Sequence, residues 1–460
     1  MRSAARGLTV VAAISMSNLA FAETIESALT QAYQNNPSLN AQRAALRATD
    51  ENVPIALSGY RPRITGTLTG GATGQDQGVR GPTGTRTVSP FTNTAPASVG
   101  LTATQTLYNG NQTANRTRQA ESQVSAARET LRLTEQTILL NGATSYMNLL
   151  RDTAILDLQR RNVEVLQEQL RQTRDRFNVG EVTKTDVAQS EARVAAGRSA
   201  MLNAESNVVT SRATYRQQIG IEAGKLTPGT PVDRLSPRSL GAAVQQGRVE
   251  NPNVTAAALG VDVATLGVKI NEGALYPTVS VAATVQKQVE QTPAIPYTLS
   301  FTALGTVSIP LFQGGAEYAT IRQSKETLSQ RRMDLDTQRD AAQQSVVQSW
   351  GQLEAAKAQI IATQAQVAAA ETALNGVREE ARVGQRTTLD VLNAQQELVN
   401  ARVALVTAQR DRLVASYALL SATGRLSVAA MGLKVGNYDP AIHYQQVRDT
   451  WVGVRTPDGR

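Results

Sequence analysis

Cysteine is absent from the 460 residues. That excludes disulfides, thiolate metal sites and cysteine nucleophiles, and with them lipidation at an N-terminal cysteine. Histidine occurs once, as His443 beside Tyr444 near the C-terminus, so neither a histidine-rich metal site nor a serine–histidine triad can be assembled elsewhere. Aromatic residues make up only 4% of the chain, and its net charge of +8 is not gathered into a dense basic run. The arginines are spread among Gln and Glu, the pattern of a solvated helix surface, and no nucleic-acid partner is expected. Beyond the first residues there is no run of about 18 apolar residues to form a membrane-crossing helix. If the chain enters a bilayer it must do so as a β-barrel. Proline is missing from 97–227 and again from 311–439, so neither stretch contains a helix breaker.

What is present begins with an export signal. Arg2 and Arg6 form a basic start, residues 8–16 are apolar, and Ala20-Phe21-Ala22 fits small-x-small cleavage. The signal then occupies 1–22 and the mature chain is expected to begin at Glu23. Without Arg2 and Arg6 its net charge falls from +8 to +6.

The chain repeats itself. Val179-Gly180-Glu181-Val182-Thr183-Lys184-Thr185-Asp186-Val187 aligns with Val383-Gly384-Gln385-Arg386-Thr387-Thr388-Leu389-Asp390-Val391, and Leu107-Tyr108-Asn109-Gly110 aligns with Leu311-Phe312-Gln313-Gly314, both at an offset of 204. Upstream, Asn36-Pro37 aligns with Asn251-Pro252 and Pro62 with Pro277, at an offset of 215. The 11-residue change falls between Pro62 and Leu107, around the Gly/Thr/Pro-rich stretch 70–96, which reads as one long loop. Two copies of one unit result, 23–226 and 227–426, followed by a tail over 427–460.

Each copy carries a very long helix. The first is expected over about 112–178, some 67 residues or roughly 100 Å, and the second over about 313–382. Val346, Leu353, Ile360, Val367, Leu374 and Ala381 recur every seventh residue, with Ser349, Ala356, Thr363, Ala370 and Val377 three places after the first five. The seam recurs in the first copy as Gly142, Leu149, Leu156, Val163, Leu170 and Phe177. A seven-residue period imposes a left-handed supercoil. Gly180 and Gly384 fit the left-handed positions that close a helical hairpin, with return helices over about 184–220 and 388–423. Further helices are expected over 23–59 and about 237–273.

Before each long helix the period switches from seven to two. Strands are expected over about 61–75 and 96–107, and over about 277–289 and 298–309. In the second pair Leu299, Phe301, Ala303, Val307 and Ile309 alternate with Ser300, Thr302, Thr306 and Ser308. This alternation fits a transmembrane barrel in contact with outer-membrane lipid, and by itself fits a soluble sandwich with one wet face equally well. The export signal favours the barrel, as do Tyr60, Tyr108, Tyr276 and Phe312, placed at strand–helix junctions where a membrane-interface girdle belongs. Two hairpins supply four strands, whereas barrels start at about eight, so several chains must pool their strands. A dimer and a trimer both satisfy that count.

No catalytic set is found, and no cofactor or metal is expected. Gly70-Gly71-Ala72-Thr73-Gly74 lacks the lysine and βαβ setting of a phosphate cradle. Glu379-Glu380 reads as surface charge. A coiled-coil adaptor or scaffold without a barrel is the alternative that the helical hairpins leave open.

The chain resembles the TolC family of outer-membrane efflux proteins over roughly 23–426. The resemblance rests on Gln34-Asn35-Asn36-Pro37, the Leu-Tyr-x-Gly and Leu-Phe-x-Gly elements, and both glycine-turn segments, above all Val383 through Gln395. The tail, from Tyr438-Asp439-Pro440 through Trp451 to Gly459, resembles alphaproteobacterial members. The resemblance implies a mainly α fold with a β-barrel portion: a homotrimer with a twelve-stranded outer-membrane barrel on a twelve-helix periplasmic tunnel. It also implies docking onto a periplasmic adaptor and an inner-membrane transporter of RND or ABC type, through turns that include Gly180, Glu181, Val182, Thr183, Gly384, Gln385 and Thr387. Arg386 and Asp390 match the family's constricting residues, and Thr185 and Asp186 match their partners. Ala381 stands where a hydrogen-bonding tyrosine can occur, and Asn393 replaces a second acidic ring residue. A latch from Arg386 to Thr185 or Asp186 is expected on that basis. Without the resemblance, Asp390 reads as a charge favouring a helix N-terminus.

Overall fold

The period-two and period-seven stretches fold as strands and helices that meet at two similar junctions. The computed structural model describes residues 23–460 except 77, 81, 83, 85, 89, 90, 293, 294, 437, 458 and 460. The expected export signal lies outside the described residues.

Three helices open the first copy: α1 (Ile25–Asn35), α2 (Pro37–Asp50) and α3 (Asn52–Leu57). A 3-10 turn, Ser58–Tyr60, leads into β1 (Arg63–Gly70). The stretch expected as one irregular loop instead forms two short ladders. β2 (Thr73–Gln75) pairs with β5 (Thr92–Thr94), and β3 (Gly78–Arg80) pairs with β4 (Arg86–Val88). Backbone pairing of threonine-rich segments does not need the apolar alternation that marks a half-buried strand. β6 (Ala97–Asn109) then leads into α4 (Gln112–Asn178) and α5 (Lys184–Ile219). The second copy runs α6 (Leu240–Glu250), α7 (Pro252–Gly273), β7 (Thr278–Thr292), β8 (Ile295–Ser308), α8 (Ala316–Arg382) and α9 (Thr388–Ala422). The tail adds α10 (Val428–Met431) and α11 (Pro440–Val447).

The repeated Asn-Pro pairs have the same task in both copies. Asn36 caps α2 by accepting from Ser38 N at 2.9 Å, and its amide donates to Gln218 O at 3.1 Å. Asn251 caps α7 by accepting from Asn253 N at 3.0 Å, and its amide donates to Ala422 O at 2.9 Å. Proline follows at the first helical position, where its missing N–H leaves nothing unsatisfied. Each pair therefore starts one helix and ties it to the end of the copy's return helix.

By length and a mean hydropathy of 1.3, Leu240–Gly273 is apolar enough to cross a membrane, contrary to the expectation from unbroken apolar runs. Its Ala, Val and Leu keep the mean high, while polar residues such as Gln245, Asn251, Asp262 and Lys269 prevent an unbroken run. Asn251 divides the stretch into α6 and α7, and α7 packs between α4 and α8.

The sheet is antiparallel in the order β1-β6-β7-β8. Its register sets Leu68 opposite Val99, Leu101 opposite Val285 and Val285 opposite Phe301 on one face. On the other face Thr65, Thr102, Thr284 and Thr302 form a single cross-strand row, with the Thr102 and Thr284 hydroxyls 3.2 Å apart. Ile64, Leu68, Leu101 and Phe301 are exposed, and β1 and β8 are free edges among the described residues. Tyr60, Tyr108, Tyr276 and Phe312, also exposed, lie at the end where strands meet helices. There, paired left-handed residues turn strand into long helix: Gly110 and Asn111 in one copy, Gly314 and Gly315 in the other.

The main core gathers α1, α4, α5 and α9 around Leu29, Leu139, Tyr146, Tyr215, Ile219 and Tyr417, all fully buried. The Tyr146 hydroxyl lies 2.7 Å from both Glu23 O and Thr227 O, and the Tyr215 hydroxyl donates to the Glu23 carboxylate. Burial pushes both phenols above their ordinary range, so they remain neutral donors. They bind Glu23 to the junction between the copies.

Candidate functional site

At the far end of the helices from the sheet, each hairpin closes in the same way. Gly180 (φ 81°) and Gly384 (φ 79°) take the left-handed conformation that glycine adopts without strain. Glu181 N donates to Arg176 O at 2.9 Å, and Gln385 N donates to Glu380 O at 2.9 Å. These bonds reclaim carbonyls that a helix end leaves unpaired. The return helix starts on a capping box in each case. The Thr183 N–H and hydroxyl donate to Asp186 Oδ2 at 2.9 and 2.7 Å, and those of Thr387 to Asp390 Oδ2 at 3.0 and 2.9 Å. Each threonine oxygen in turn lies 3.3 Å from the aspartate N–H it accepts from. Two orphan donors are thereby satisfied reciprocally.

These bonds set the site's electrostatics. The Thr183 hydroxyl and N–H hold the Asp186 carboxyl below its usual range. The Thr387 N–H and hydroxyl do the same for Asp390, with help from the Arg386 charge. Glu380 further stabilises the charge on Arg386.

The expected latch is not the contact made within the chain. Arg386 Nε donates to Glu380 Oε2 at 2.8 Å, and Asp186 is engaged by Thr183, while Thr185 lies exposed in the first turn of α5. Local closure explains the difference: Glu380 is six residues from Arg386 and Thr183 three from Asp186, so neither contact requires a distant segment to be held. The reading of Asp390 as a charge at a helix N-terminus describes its role within the chain. Glu380, taken as surface charge, is the residue that reading the sequence missed. Its place one turn before a glycine turn with an arginine just beyond was the available signal.

The two hairpins touch above the caps, ten residues beyond Thr183 and six beyond Thr387. Arg193 Nη2 donates to Asn393 Oδ1 at 2.6 Å, joining α5 to α9. Leu166, Val194 and Leu392 are buried together beside this bond, against a half-buried Leu170. Asn393 is thus held by Arg193. The seam along α8 is buried or half-buried from Val346 to Ala381, with Ala381 packed near Leu374, Val391 and Leu398. Phe177, at the foot of the equivalent seam, is exposed, as are the turn residues Val179 (72%) and Val383 (70%).

Comparison with known proteins decides what this architecture belongs to. The outer membrane efflux protein family matches residues 28–220 and 243–425, one segment in each copy. The chain belongs to that family. As an outer membrane efflux protein it is 42% identical over 450 residues to outer membrane efflux protein BepC of Brucella suis biovar 1 (strain 1330), covering 96% of this chain and 94% of the relative. It is 25% identical over 426 residues to outer membrane protein TolC of Escherichia coli (strain K12), covering 89% and 84%. The Campylobacter jejuni CmeC outer membrane channel superposes with a TM-score of 0.77 at 15% identity, over 92% of this chain and 89% of that one. At that identity the likeness speaks for the fold alone. By its family and its BepC relative, this efflux protein belongs to the outer membrane. The scaffold without a barrel is set aside.

Proposed function

We propose that three copies of this outer membrane efflux protein form a passive exit duct. The β1 edge of each copy pairs with the β8 edge of the next, closing twelve strands around a lumen lined by the threonine rows. The carrying observation is the sheet, with one apolar exposed face, one hydroxyl face and two free edges. Lipid does not tolerate open edges, and three chains remove all six. Helices α4, α5, α8 and α9 of each copy then supply a twelve-helix tunnel. In this reading the chain conducts and does not catalyse, and it needs no cofactor.

The helical tips are assigned two tasks. The exposed valines and the turns at Gly180, Glu181, Val182, Thr183, Gly384, Gln385 and Thr387 form the docking surface for a periplasmic adaptor, which links the duct to an inner-membrane transporter. Arg386, Asp390, Asn393, Thr185 and Asp186 form the gate. Three Asp390 carboxylates around a narrow axis create a negative potential that favours cations. Closure is held by the bonds of Arg386 with Glu380 and of Arg193 with Asn393, and assembly places Arg386 near the Thr185 and Asp186 turn of a neighbouring hairpin. Single-channel conductance in a planar bilayer tests the reading. Wild-type trimers should give small, steady currents, and Arg386→Ala should give larger ones. Unchanged current in properly assembled Arg386→Ala trimers would move the gate elsewhere, and folded protein giving no channels would remove the duct.

A further inference from the structure

The tail is used by neither the duct nor the gate, yet it is held along its length. Val428 N donates to Glu135 Oε1 at 3.0 Å. Arg43 lies between two rings, 4.4 Å from the centroid of Tyr33 and 5.2 Å from that of Tyr438. His443 Nδ1 lies 2.9 Å from Asp50 Oδ2, with both residues buried. The Tyr444 ring takes Arg128 at 5.2 Å, and Arg448 reaches Glu121 at 3.6 Å. Arg61 Nη1 donates to Thr450 O at 2.9 Å, with its guanidinium 4.7 Å over the Trp451 ring.

The order of these contacts gives the tail a direction. As the tail numbers rise, its partners on α4 fall from Glu135 through Arg128 to Glu121, in steps of two helical turns on one face. The tail climbs about 21 Å of α4 towards the sheet. It arrives at Arg61, which directly follows Tyr60 and stands two residues before β1 begins at Arg63. That is the level of the aromatic residues at the strand–helix junctions, and so of the membrane surface. There the strap delivers an apolar tip: Trp451 is 66% exposed, Val452 88%, and Val454 fully exposed. Elsewhere along the strap, the side chains of His443 and Val447 are buried.

We infer that residues 451–455 are a peripheral membrane anchor, seated in the phospholipid headgroup region of the periplasmic leaflet beside the barrel. An indole flanked by a guanidinium suits that layer, where an aromatic ring finds an apolar side and a polar one. Val452 and Val454 add apolar area next to it. Arg63 and Arg455 offer cations to lipid phosphates, and Arg61 does so while engaged by Thr450 and Trp451. Asp449, exposed just before the tip, offsets part of that charge. The anchor is therefore driven by its apolar residues more than by net charge. Its continuity with the barrel's own lipid-facing surface selects lipid over a soluble partner. The strap sets its height, so the anchor also fixes the first helices against the bilayer.

The test uses full-length protein in phosphatidylethanolamine–phosphatidylglycerol vesicles whose acyl chains carry bromine near the headgroup. The chain has two tryptophans, so Trp350→Phe leaves Trp451 as the sole indole. In protein that floats with the vesicles, bromination should remove about half or more of the Trp451 emission, as for an interfacial ring. Val452→Cys, a unique thiol in this cysteine-free chain, should report the same apolar setting when labelled with an environment-sensitive dye and both tryptophans kept. Unquenched Trp451 shielded from acrylamide would mean that a neighbouring subunit covers it. Unquenched Trp451 open to acrylamide would mean that it faces the periplasm. Either result overturns the anchor while leaving the barrel in place.

Discussion

The two hairpin tips have the same backbone and opposite charge. Both close on a left-handed glycine and both start the return helix on a threonine–aspartate box. In the first, Arg176 at the end of α4 pairs with Glu181 at 2.9 Å; in the second, Glu380 at the equivalent place on α8 pairs with Arg386 at 2.8 Å. The exchange matters because a helix C-terminus carries partial negative charge. Arg176 is favoured there without its partner, whereas Glu380 opposes the dipole and depends on Arg386. Turn geometry tolerates little variation, since a Cβ at a left-handed position is strained. Charge at an exposed turn varies more freely, an exposed pair being worth about 0–1 kcal/mol. The second tip is the one in which an exposed ion pair must offset an unfavourable charge at the helix end, which suits a part that has to move.

The largest effect should come from erasing the difference. Glu380→Arg, Gln385→Glu and Arg386→Val together give the second tip the charges of the first. Helix content by circular dichroism should hold, and single-channel conductance should rise several-fold. The reciprocal set, Arg176→Glu, Glu181→Gln and Val182→Arg, should leave conductance near wild type. Equal rises in both would show that the charge reversal has no bearing on the gate. A smaller, local effect is expected from the caps. Thr183→Ala and Thr387→Ala should each weaken the start of their helix by about 1 kcal/mol, read as faster amide exchange at residues 184–187 and 388–391. A marked difference between the two would mean that the boxes are not equivalent.

The fold was legible because its signals are periodic. The seven-residue seam, the alternating strands and the offset of 204 between Gly180 and Gly384 are set by local chain geometry, and they specified two copies of strands and long helices. The ladders within 70–96 were missed because backbone pairing there carries no side-chain period. The site was legible only as a place. The glycine turns and Thr-x-x-Asp boxes located the tips, but an ion pair between residues six apart, as Glu380 and Arg386, has no repeating signature. Arg193 with Asn393 had none at all, being 200 residues apart and brought together only by the packing of one hairpin on the other. The strap was hidden for the same reason: each of its bonds joins the tail to a segment hundreds of residues away.

That hairpin contact sharpens the comparison at a smaller scale, because it is the place where the two tips constrain each other. Arg193→Ala removes a bond worth about 0.5–1.5 kcal/mol. The spin-label distance distribution between α5 and α9 should broaden, with the boxes unchanged. Asn393→Asp keeps a partner for Arg193 and should leave the distribution narrow. A broad distribution in Asn393→Asp as well would show that side-chain shape, and not the Arg193 bond, positions α9.

The smallest predicted difference concerns pH. Asp186 and Asp390 are both held below the usual aspartate range, chiefly by their threonines. A carboxyl lowered by folding contributes stability that is complete above its unfolded value and is lost as pH falls through its folded one. Acidification below the usual aspartate range should therefore loosen both tips, while nothing happens near neutrality. The two should titrate close together, since Arg176 assists Asp186 as Arg386 assists Asp390. Arg386→Ala should raise the midpoint of Asp390 slightly and leave Asp186 where it was, an effect that added salt should shrink because Arg386 is exposed and Asp390 only half-buried. Carboxyl ¹³C titration would follow each site. If Asp186 moved with Asp390 in that variant, the two tips would be electrostatically coupled, and neither could be treated as a separate unit of the gate.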